Sequence, residues 1–124
     1  MMKDLLAKLE AAPEGSRELD AEIEVLLPSN MKNGTKHLPT KQDKCEPGTY
    51  WHKLTGATAL WTASLFTTSL DVKVPGENII EMLLYPETGL YWALHDGPTG
   101  RFGGTGHTEV LARRVAGLKG METK

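Results

Sequence analysis

Apolar residues recur at helical spacing in three stretches of the chain. Leu5, Leu6 and Leu9 mark a first short helix, which the Pro13-Glu14-Gly15 break should end near Ala12. Leu19, Ile23, Leu26 and Leu27 form an i, i+4, i+7, i+8 stripe over about 16 to 27, with Ser16 as N-cap, Glu18 and Asp20 at the positive end, and Pro28-Ser29-Asn30 as the stop. Leu111, Val115 and Leu118 make the stripe of a last helix that Thr108 caps. Ala112 and Ala116 would let that helix lie close to a sheet, and Gly117 and Gly120 weaken its end. Strand-like alternation appears at Trp61, Ala63 and Leu65 against Thr62 and Ser64. A hairpin is predicted from Ile79 to Tyr85, the turn Pro86-Glu87-Thr88-Gly89, and Leu90 to His95, one face carrying Ile80, Met82 and Leu84 beside Trp92 and Leu94. The order of elements predicts an α+β fold: a small antiparallel β-sheet flanked by N-terminal and C-terminal helices, sandwich-like.

Residues 29 to 58 break these periodicities. The segment is rich in Lys, Asn, Thr, Gly and Pro, with lysines at 32, 36, 41, 44 and 53, and reads as a long polar loop or insertion in a single domain spanning 1-124. Loops of that length inside a compact domain either work, here as a binding flap, or are mobile and solvated.

Composition changes the picture mainly by exclusion. With 124 residues, 40% apolar, 24% charged and a net charge of -2, the chain does not depend on bulk attraction to nucleic acid or anionic lipid, and any anion site must be built locally. A domain this small leaves a sizeable share of apolar surface near water, so self-association is expected. No run of 18 apolar residues exists, and Met1-Met2-Lys3-Asp4 meets an acid at once, which predicts a cytoplasmic protein without a membrane partner. Cys45, the one cysteine, has no internal disulfide partner.

Candidate chemistry is sparse. Cys45, His37, His52, His95 and His107 form no CxxC or HxxxH pair, so no metal is expected. Neither Ser64 nor Ser69 sits in a GxSxG elbow, so no catalytic residue is assigned and a binding protein is expected rather than an enzyme, with no cofactor. Asp96 to Gly100 reads as a turn and Arg101 to Gly106 as an edge strand that loosens into a loop. Gly97 to Gly106 also resembles a phosphate-cradling loop before a helix N-terminus, with Arg101 inside it and Arg113-Arg114 one turn on, while a plain glycine-rich connection has the same composition. Successive helix positions rotate by about 100°, which puts Arg114 roughly 60° from the apolar stripe and Arg113 well away from it. Trp61 and Phe66 are the aromatic groups best placed to stack on a base, since strand alternation sends them to opposite faces.

Three pieces of the chain carry a family resemblance: Leu5-Leu6-Ala7-Lys8-Leu9-Glu10-Ala11-Ala12 followed by Ser16-Arg17-Glu18-Leu19-Asp20-Ala21, the Trp61 to Asp71 segment, and the Thr108 to Leu118 helix. Together they resemble the small phage proteins grouped as the phage ABA sandwich family. Similar organisation marks the first Thoeris anti-defence family, phage sponges that bind cyclic ADP-ribose signals and, in some members, cyclic oligonucleotides without hydrolysing them. The resemblance implies a homo-oligomer (dimer or trimer of dimers) in the cytoplasm of an infected bacterial host, binding a small nucleotide-derived signal and no long nucleic acid. It implies guanidinium contacts to phosphate from Arg113, Arg114 and Arg101, stacking by Trp61 or Phe66, and polar contacts from Thr62, Ser64, His107 and Thr108. Arg113 and Arg114 stand where many relatives carry Leu and Cys. The alternative is an interaction module that blocks a host protein, with the 29 to 58 segment as its contact surface.

Overall fold

The computed structural model describes residues 2–27, 35–40, 42–54 and 57–122. Among the described residues three helices lie toward the chain ends: α1 (Met2–Ala11), α2 (Arg17–Leu26) and α3 (Glu109–Glu122). Six antiparallel strands among the same residues form two sheets: β1 (Thr35–His37), β2 (Thr49–Leu54) and β3 (Ala57–Thr62), in the order β1-β2-β3; and β4 (Ile79–Tyr85), β5 (Leu90–Gly97) and β6 (Gly100–Gly106), in the order β4-β5-β6. The α+β class and the terminal helices agree with the sequence. The single expected sheet is two, and the helices lie between them. No helix among the described residues is long and apolar enough to cross a membrane.

Helix boundaries follow the capping chemistry. The Ser16 hydroxyl accepts the Leu19 N–H at 3.2 Å, and the Thr108 hydroxyl accepts that of Leu111 at 3.1 Å. Each helix then divides its buried residues between two neighbours. Leu19 and Ile23 of α2 with its C-cap Leu27, and Leu111, Val115 and Leu118 of α3, meet Leu5, Leu6 and Leu9 of α1 in one core, closed by Phe66 and Val74. On its other side α2 gives Ala21 and Val25 to Tyr50 of the first sheet, while α3 gives Ala112 and Ala116 to Ala93 of the second.

The contact of α3 with the second sheet explains the glycine-rich segment. A Cβ on Gly104 would stand 2.3 Å from the Ala116 nitrogen, and one on Gly106 would stand 2.7 Å from the Ala112 nitrogen. Backbone meets backbone there, so only glycine fits. Gly97 to Gly106 is therefore the end of β5, a tight turn and the strand β6, not a loop cradling an anion.

Two further expectations change. Segment 29 to 58 supplies β1 and β2; strands this short, with polar residues on the outer face, leave no alternation to read, and positions 28–34, 41, 55 and 56 fall outside the described residues. The strand expected from Trp61 to Leu65 ends at Thr62, where the Ala63 N–H turns to the Gly48 carbonyl at 2.7 Å. In the hairpin, an irregularity between Ile79 and Glu81 shifts the register. That irregularity touches only the start of β4; the turn pairs Tyr85 with Leu90, and the register it sets puts Trp92 opposite Leu83 and Leu94 opposite Glu81, while Met82 pairs with Ala93 and Leu84 with Tyr91. The face that α3 covers is thus built on Ala93, and Trp92 points the other way.

Candidate functional site

The three sequence pieces that carry the resemblance converge on one turn. Thr67, buried after β3, receives the Ser16 N–H on its hydroxyl at 3.0 Å and donates from that hydroxyl to the Asp20 carboxylate at 2.6 Å; the same carboxylate accepts the Thr67 N–H at 2.8 Å. Arg17 closes the other side of Asp20 and donates to the Ala63 carbonyl at 2.6 Å. From α3, Arg114 reaches the same turn, donating from Nε to the Phe66 carbonyl at 2.8 Å and from Nη2 to the carbonyls of Ser69 at 2.5 Å and Leu70 at 3.2 Å. Its Nη1 meets Glu77 at 2.6 Å, with both side chains fully buried.

This arrangement corrects the reading of Arg114 as a phosphate ligand. Its side chain has 0% exposure, and the groups it binds belong to its own chain. Burial holds the Glu77 carboxyl above its ordinary value, against the pull of Arg114, and presses the Arg114 guanidinium below its own. Glu77 Oε1 has no hydrogen-bond partner among the described residues. Charges are tolerated in such a place when geometry supplies partners, and here they fix the turn between two helices. Phe66, expected as a stacking group, is likewise in the core at 5% exposure.

The remaining predicted residues lie in three separate places. Trp61, 40% exposed, stands edge-on to His52 at 5.7 Å on β3, with exposed Thr62 and Ser64 after it. Thr108 spends its hydroxyl on the α3 cap beside exposed His107, and Arg113 pairs with Glu109 at 2.8 Å while its buried Nε has no partner among the described residues. Arg101 is alone of the set on the second sheet. No hydrogen bond, ion pair or ring contact between described residues joins these three places.

Around Arg101 the structure gathers groups that the sequence did not single out. Pairing places Glu81, Leu83 and Tyr85, then Leu90, Trp92, Leu94 and Asp96, then Arg101, Gly103 and Thr105 on the face turned away from α3. The Trp92 indole lies where a side chain on residue 103 would stand, its Nε1 2.6 Å from that ideal Cβ. Arg101 is two-thirds exposed, and its ion pair with Asp96 is long at 3.7 Å. Lys119 holds its ammonium on the Gly103 carbonyl at 3.0 Å, and Thr105 is 3.5 Å from Glu10 of α1. At the β4–β5 turn a cleft of about 380 Å³ is lined by Tyr85, Pro86, Glu87, Thr88 and Leu90 and meets these groups only at Thr105. The signal for this face was strand alternation through Gly103, once β6 is known to be a strand. An indole, an exposed guanidinium and a hydroxyl on one open face, with an ammonium at its edge, can stack on a planar ring and neutralise an anion beside it. No family model, no curated protein and no solved structure matches this chain.

Proposed function

We propose that the protein is a phage anti-defence binding protein that sequesters a nucleotide-derived signal, such as a cyclic ADP-ribose isomer or a cyclic oligonucleotide, on the open face of the β4-β5-β6 sheet. The observation that carries this reading is the Trp92 indole over Gly103, with Arg101 and Thr105 on the same face and Lys119 at its edge. Stacking of a base on an aromatic side chain is worth about 1–3 kcal/mol. Arg101 supplies the phosphate contact and Thr105 a hydroxyl for ribose. The ligand is held and not turned over. The proposal includes the phage ABA sandwich resemblance, residence in the host cytoplasm and assembly as a homo-oligomer.

A second reading is an interaction module that blocks a host protein. The exposed Leu38, Leu60 and Trp61 in or next to the 29 to 58 segment favour it, each at least 40% exposed. Incubation with cyclic ADP-ribose isomers, followed by heat denaturation and chromatography of the released ligand, separates the readings. Intact released ligand supports sequestration, an altered ligand marks an enzyme, and no bound ligand leaves the interaction module.

A further inference from the structure

The outer edge of β4 pairs with no described strand, yet its sequence is Ile79-Ile80-Glu81-Met82-Leu83-Leu84-Tyr85, with one charge and no proline. Natural sheet edges are usually protected by lysine, proline, short length or a covering element. The other edges here follow that practice. β6 is covered by α1 and by Lys119 on the Gly103 carbonyl, and β1 is three residues long with Lys36 at its centre. β4 has only the irregularity at its start, which leaves Glu81 to Tyr85 in regular register. α3 covers Ile79 and Met82 on one face, yet apolar side chains stay exposed on the strand: Ile80 is 47% exposed, Leu83 41%, Leu84 51% and Tyr85 47%.

From this we infer that two copies of the chain join antiparallel through β4, with the twofold axis at Met82, into one continuous six-stranded sheet. A second copy fits this edge because the strand complements itself. With the axis at Met82, Glu81 of one copy faces Leu83 of the other and Ile80 faces Leu84, so the only charge in the strand never meets its like. The contact would bury the unpaired backbone edge of a seven-residue strand and the parts of these side chains that flank it, at the lower end for stable interfaces. Isologous contacts of this kind close on themselves and do not grow into fibres. The inference specifies the oligomer of the proposed function and rests on that part of it alone. The pairing would set two open faces side by side in one sheet.

Light scattering of the full chain at micromolar concentration should give twice the 13.6 kDa chain mass. Leu83→Lys/Leu84→Lys, which charges both faces of β4, should halve that mass with unchanged circular dichroism, while Leu60→Lys on β3 should leave the dimer intact. If the double variant misfolds, a Met82→Cys/Cys45→Ser chain reads the same contact, because paired Cα atoms across a ladder lie within disulfide range. Oxidation should cross-link it into a covalent dimer. A monomeric wild type, a dimer that survives the folded double-lysine change, or a dimeric cysteine variant that does not cross-link would each overturn the inference. Binding of cyclic ADP-ribose measured on the same samples keeps the two ideas apart: a monomer that binds sinks only the dimer, and a dimer that binds nothing sinks only the ligand.

Discussion

Arg114→Ala should cost the protein most of its stability, and the magnitude follows from what the guanidinium touches. Its removal strands the carbonyls of Phe66, Ser69 and Leu70 and leaves Glu77 buried without its cation. Glu77 would then take up a proton instead of remaining charged, which caps that part of the loss. Starting from an ordinary value of 4.5, protonation at pH 7 costs about 3.4 kcal/mol, at 1.36 kcal/mol per pH unit. Carbonyls that water cannot reach add about 1–3 kcal/mol, giving roughly 5 kcal/mol against the 5–15 kcal/mol typical of a domain. Because the larger part is protonation, the defect should shrink by about 2 kcal/mol on going from pH 7 to pH 5. Arg114→Met/Glu77→Leu should recover much of the loss, since a buried ion pair is often replaceable by apolar groups of similar volume. Urea unfolding followed by circular dichroism, at both pH values, gives all three numbers. A loss below about 1 kcal/mol for Arg114→Ala, or a loss independent of pH, would refute the placement of this pair in the core.

Other substitutions test the remaining joints. Gly104→Ala should destabilise by about 3 kcal/mol or prevent folding, because the new Cβ meets the backbone of α3 and nothing there can rotate away; thermal unfolding against wild type decides it. Gly89→Ala, in a turn with φ 71° and open space around it, should cost only about 1 kcal/mol in the same assay. Thr67→Val keeps the shape of the side chain but leaves the Asp20 carboxylate and the Ser16 N–H short of a partner. It should lower stability by about 2 kcal/mol in urea titration, whereas Thr68→Val, at an exposed neighbour, should be near neutral.

Local signals in the sequence were enough for the helices and for the hairpin from β4 to β5. Ser16 and Thr108 cap as their types suggest, and the stripes on α2 and α3 are the ones that face the core. What the sequence left hidden was set by contacts distant along the chain. Helix geometry put Arg114 near the edge of a stripe, but whether that edge faces water depended on Glu77 and on the turn at 66 to 70, separated from it by 37 to 48 positions. The glycines of β6 look alike in a phosphate loop and in a strand pressed by a helix, and Ala112 and Ala116 decide between the two only once α3 is in place. The four-residue turn at 86 to 89 pairs Tyr85 with Leu90, a register one residue away from the one expected, and this put Trp92 on the open face and not on the core side. β1, Thr35-Lys36-His37, has no apolar residue and is a strand only because β2 pairs with it.

Calorimetric titration of a cyclic ADP-ribose isomer into wild type, Trp92→Ala, Arg101→Ala and Arg113→Ala tests the central claim most directly. Binding should weaken by about 1–3 kcal/mol, roughly 5- to 150-fold, in each of the first two variants while their circular dichroism stays unchanged. Arg113→Ala, away from the open face, should bind as wild type does. Unchanged affinity in folded Trp92→Ala and Arg101→Ala, or a loss confined to Arg113→Ala, would contradict the assignment of the site to the β4-β5-β6 sheet.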